Sequence, residues 1–180
     1  MGIPTLISTA TETNAASIDI TSGIDSTYDE YMFVFTDLGP ATDAQPFRFQ
    51  VNAAGQSGFN EVITSTAFYS YHNENNAAQG IAYHDSQDQA NGTSYQTIAA
   101  GVGNGSFESC AGILHLFSPS NTTFVKHFYS RMSSYESAAR SWEEYVAGYI
   151  NTTSAIDEVR FFPSGVGTTQ DSVIVMYGVG

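Results

Sequence analysis

A single cysteine, Cys110, stands in the 180-residue chain, so neither an intramolecular disulfide nor a multi-cysteine metal cluster can hold it together. Basic residues are nearly as scarce. Lys126 is the only lysine, and with four arginines it faces 18 acidic residues for a formal net charge of −13. That balance cannot neutralise a run of phosphates, so nucleic acid and anionic membrane surfaces are excluded as expected partners. No stretch approaches the roughly 18 apolar residues of a membrane-spanning helix. The opening MGIPTLISTATETN lacks the basic and apolar segments of a secretory signal, so the whole chain is expected to be the mature protein, made in a cytoplasm.

What the chain has instead is small polar and aromatic: 21 serines, 18 threonines, 16 glycines, 12 phenylalanines and 11 tyrosines. Such residues favour strands and turns over helices. Turn clusters such as DLGPATDAQ, NENNAAQG and PSGVGTTQ punctuate the sequence, and β-branched and aromatic runs lie between them. The clearest runs are 30–36, 46–51, 62–71, 111–117, 123–131, 159–162 and 172–177, with weaker ones at 5–8, 17–20 and 95–99. In PFRFQV, Phe47, Phe49 and Val51 alternate with Arg48 and Gln50, as in a strand with one solvated face. YMFVF is apolar on both faces and reads as a central strand. The expectation is an all-β fold: one antiparallel β-sandwich, jelly-roll-like, of about ten strands. It spans residues 1–180 as a single domain with an N-terminal arm at 1–15.

One stretch carries a rival pattern. Tyr135, Ala138, Ala139, Trp142, Tyr145, Val146, Tyr149 and Ile150 repeat at helical spacing, yet WEEYVAGYI also reads as a strand. The spacing predicts a helical turn over 136–140 followed by a strand.

Candidate chemistry is thin. GVGNGS at 101–106 lacks both the third glycine of a dinucleotide loop and the GK[ST] of a P-loop. Cys110 has no neighbouring base and reads as an inert buried thiol. His115 and His127 flank SPSNTT; if 118 pairs with 124 they lie directly opposite each other and are weak zinc candidates, though core or interface histidines fit better. Asp25, Asp29 and Glu30 crowd one turn and are weak calcium candidates, with an Asx-rich turn as the simpler reading. Glu143 and Glu144 are adjacent, so on a strand they face opposite ways and form no glycosidase pair. No catalytic residue and no cofactor is expected. Tyr69, Tyr71, Trp142, Tyr145 and Tyr149 are the interface candidates, since tyrosine and tryptophan supply contact area at low entropic cost.

Three segments occur together in a fixed order: LISTATETNAASIDITSGIDSTYDEYMFVF, then NTTFVKHFYSR, then VAGYINTTSAIDEVRFFPSG running to VIVMYGV. Together they cover most of the chain outside 73–107, and the set resembles structural proteins of marine tailed phages, chiefly cyanophages. The resemblance implies a non-enzymatic virion protein of the capsid-decoration or tail-fibre type. Its partners would be the major capsid protein or other virion proteins and further copies of itself, and its location the virion. It also favours a strand for 145–150. A fibre chain normally has a repetitive shaft or a heptad stem, and neither is present, so decoration is the first expectation. The alternative is a receptor-binding module that stacks tyrosine and tryptophan on host carbohydrate.

Overall fold

The computed structural model describes residues 2–163 and 172–180; most of the PSGVGTTQ turn lies outside the described residues. The described residues form twelve strands, where about ten were expected: β1 (Thr5–Glu12), β2 (Ile18–Ile20), β3 (Glu30–Leu38), β4 (Gln45–Ala53), β5 (Ile63–Asn73), β6 (Gln79–Tyr83), β7 (Gln96–Val102), β8 (Cys110–Phe117), β9 (Lys126–Glu136), β10 (Arg140–Ile150), β11 (Ile156–Pro163) and β12 (Ser172–Val179). Every pairing is antiparallel. The hydrogen-bonded path runs β1-β12-β3-β8-β9-β7-β4-β11-β2, and β10, β5 and β6 branch from β9. Its two end strands, β1 and β2, come into contact, so the sheet is a nearly closed, barrel-like structure. The joint between β9 and β7 is narrow, a single pair of Val102 with Glu136. Residues 5–12 of the expected arm are the edge strand β1, laid along β12.

Phenylalanine builds the centre. Phe33 and Phe35 of β3 meet Phe161 of β11 edge-on at 5.3 and 5.1 Å, and Phe35 also meets Phe47 of β4 at 5.6 Å. Phe49 of β4 crosses to Phe128 of β9 at 5.0 Å. These contacts clamp β3 and β9 over β4 and β11, and each buried ring contributes about 2–3 kcal/mol of transfer free energy. The core series along β3 is Tyr31, Phe33, Phe35, as a central strand requires.

Three local expectations are corrected. Gln50 is not solvated but fully buried, because the loops before β5 and β7 cover its face of β4; its Nε2 donates to the Glu61 carbonyl at 2.8 Å and lies 3.3 Å from the Thr93 and Ser94 carbonyls. The helical turn expected over 136–140 does not form, whereas the strand expected after it is β10. Residues 137–139 are a tight turn, and β10 pairs along its length with both β9 and β5. The β8–β9 register sets His115 opposite Tyr129, not opposite His127. SPSNTT is not a tight hairpin turn, because it is tied outward: Ser118 N donates to the Asp29 carbonyl at 2.6 Å and Ile156 N to the Pro119 carbonyl at 2.9 Å.

Candidate functional site

The calcium candidates do not converge. Asp25 closes its own turn, accepting from Thr27 N at 2.7 Å, with the Tyr31 hydroxyl 3.1 Å from its carboxylate. Hydrogen bonds from Thr27, then Tyr31, hold its pKa below the usual carboxylate value. Asp29 offers its carbonyl to the β8–β9 loop, and the Glu30 carboxylate pairs with His115 Nδ1. The zinc candidates are separated too. His115 stacks on Tyr129 at 4.5 Å, whereas His127 sits opposite Tyr149 on β10. Among the described residues no three His, Cys, Asp or Glu side chains gather in a metal-ligating group. Cys110 is buried, which pushes its thiol up to about 12 and leaves it without thiolate character.

The interface candidates fall on two faces of the β5–β10 pair. Tyr69 and Tyr71 share the inner face with Trp142, and both ring faces of Trp142 are occupied. Tyr69 stacks on it at 4.1 Å and the Arg140 guanidinium lies 4.8 Å from its centroid. Trp142 itself is buried. Beneath this cluster is a pair that sequence reasoning missed. Glu144 is fully buried, accepts from Trp142 Nε1 at 2.8 Å and lies 2.7 Å from His84 Nδ1. Burial raises its pKa against the opposing pull of Trp142 and His84. The pair fastens the segment after β6 to the sheet, helped by His84 N donating to the Ala67 carbonyl at 2.9 Å.

Tyr145 and Tyr149 point the other way, onto the outer face, where the strand registers assemble something larger. One row crosses eight strands, from Tyr83 of β6 through Phe68, Tyr145, Arg131, Ile113 and Val34 to Val175 of β12 and Thr9 of β1. The next row holds Tyr129, His115, Met32, Tyr177 and Leu6. Tyr145 stacks on Phe68 at 4.6 Å and carries the Arg131 guanidinium 5.4 Å from its centroid, while Arg131 Nε pairs with Glu143. Phe68, Tyr129 and Tyr83 remain 41%, 45% and 54% exposed. Phe68, Tyr129 and Tyr145 also line a shallow depression of about 310 Å³.

Arg131 is the only formally charged side chain in these two rows, although the chain carries −13. Charge depletion with enriched aromatics is the composition of an interface core. Tyr83, Tyr129 and Tyr145 belong to the tyrosines that the sequence offers as an aromatic platform; Phe68 and Arg131 were missed, and Tyr149 lies in the adjoining row opposite His127. The signal was the outward alternation, which needs the register of five strands to read as one surface. No family model, no curated protein and no solved structure matches the chain.

Proposed function

We propose that the protein is a non-enzymatic structural protein of a bacteriophage virion, a capsid decoration protein on the particle exterior that contacts the major capsid protein or another virion protein. The observation that carries this reading is the outer face, a broad aromatic surface poor in charge, suited to assembly. The ordered resemblance of three segments to marine phage structural proteins supplies the class. The acidic groups that could have suggested chemistry serve the scaffold instead. Asp25 closes a turn, Glu144 is buried beneath Trp142, and Asp19 is clamped by Arg160 at 2.6 and 2.7 Å. In this reading the fold counts as a two-sheet sandwich of jelly-roll type, with β1, β12, β3, β8, β9, β10, β5 and β6 facing β7, β4, β11 and β2. The one-pair joint between β7 and β9 supports that division.

The test is rebinding. Purified protein added to particles stripped of it should sediment with them and raise their resistance to heat or osmotic shock. It should pass unretained over a column of host-surface polysaccharide. Retention on the glycan column together with indifference to particles would replace decoration by receptor binding.

A further inference from the structure

We infer that the outer face is the contact between two copies of this chain, packed face to face about a twofold axis. The inference rests on the reading of this face as an assembly surface and names what covers it.

Charge selects the occupant. A partner drawn to this molecule by its acidity would be basic, but the two central rows offer no carboxylate. Their only formal charge, Arg131, is already paired with Glu143 and seated over Tyr145. The surface that matches an uncharged aromatic face is another uncharged aromatic face. An isologous twofold contact supplies it in equal amount, because the same patch meets itself. It also lets two chains of −13 associate where neither presents net negative charge, so repulsion is confined to the periphery. Arg131 keeps its partner within its own chain, so covering it strands no lone charge.

Area agrees with that choice. Eight strands about 4.8 Å apart span roughly 38 Å, and the two central rows with one flanking row, in which Glu30 is paired with His115 of its own chain, add about 20 Å, giving roughly 750 Å² per copy against about 800 Å² in a stable complex. Two twisted sheets pack through such faces at about 10 Å with side chains interdigitated. The depression between Phe68, Tyr129 and Tyr145 is the place where side chains of the second copy would insert.

The experiment is a mass measurement on the purified full chain by sedimentation velocity or light scattering, over a dilution series. The wild type should weigh two chains. Phe68→Glu and Tyr129→Glu, in different rows of the face, should each weigh one chain while keeping the wild-type circular dichroism spectrum. Phe107→Glu, on the exposed β7–β8 loop, should remain a dimer. A wild type that is monomeric at about 100 µM, or a dimer that survives both face substitutions, overturns the proposal. If one face variant fails to fold, the other decides alone. Particle rebinding is scored separately. A dimer that ignores particles leaves this inference standing and removes the virion reading, whereas a wild-type monomer that coats particles does the reverse.

Discussion

At the scale of single residues, Glu144 and Lys126 hold the least expected positions. The only lysine is buried at the end of the fold that carries the β8–β9 loop, and its Nζ donates to the carbonyls of Phe124 and Thr152 at 3.0 and 3.2 Å. Burial pulls its pKa down. Glu144 is the more informative of the two. Truncating it to alanine leaves Trp142 Nε1 buried without its acceptor and the half-buried His84 Nδ1 without its partner, which should cost about 2–4 kcal/mol in urea denaturation. Glu144→Gln keeps the acceptor for Trp142 and can donate to His84 Nδ1 in the other imidazole tautomer, so it should fold well. The pH dependence then separates charge from shape. Because burial raises the folded pKa of Glu144, the native state holds this proton more tightly than the unfolded chain does. Its contribution to stability therefore falls as pH rises from its ordinary value through the raised one. Asp19, lowered chiefly by its hydrogen bond with Arg160, acts in the opposite sense, and its contribution is lost as pH falls through the lowered value. Thermal midpoints of wild type and Glu144→Gln, compared from about pH 4 to pH 7, should diverge in favour of the variant as pH rises. A constant or closing gap would mean that Glu144 is ionised in the fold at no cost.

At the scale of elements, the β9–β10 hairpin shows why the sequence misled where it did. In β10 the inward series is Trp142, Glu144, Val146. A carboxylate in that series breaks the apolar alternation, so the helical spacing of Tyr135 to Ile150 looked cleaner than the strand pattern. The group that satisfies Glu144 is His84, 60 residues away and invisible to any local pattern. The histidine register failed for a related reason. A tight turn at SPSNTT was assumed, whereas Ser118 and Pro119 bond to distant segments and the strands re-pair two residues out of step. Phe47, Phe49 and Val51 were legible as core because their environment is set by the strand itself. Gln50 was not, because a loop covers it. The hairpin turn also yields a test. Ala139 adopts φ 56°, a left-handed conformation that strains an L side chain, and its N–H donates to the Glu136 carbonyl at 3.0 Å. Ala139→Gly should relieve that strain and stabilise the protein by about 0.5–1 kcal/mol, the gain being limited by the freer unfolded chain. A lower denaturation midpoint in this variant would show that the turn is held by contacts of the alanine methyl.

At the scale of the whole molecule, the cations are committed locally. Arg131, Arg140 and Arg160 pair with Glu143, Glu136 and Asp19, and Lys126 is buried among carbonyls. Acidic residues still outnumber basic ones by 18 to 5, so the net charge of −13 repels itself across the surface. A compact chain of this length has a radius of gyration of about 16 Å. At about 10 mM salt the screening length is near 30 Å, so every carboxylate senses the others, whereas at about 0.5 M it shrinks to roughly 4 Å and the repulsion vanishes. Added sodium chloride at neutral pH should accordingly raise the thermal midpoint by several degrees, since about 1 kcal/mol moves it by about 2–4 °C at this size. The same salt step should strengthen the dimer, because the charge that opposes association lies outside the aromatic face. Near pH 4, where many carboxylates are protonated, the salt effect should shrink in both measurements. A midpoint that falls with salt at neutral pH would assign the net electrostatic contribution to the three arginine pairs rather than to the uncompensated acid. In that case Arg160→Ala, which breaks the two-bonded clamp on Asp19, should lessen the salt dependence.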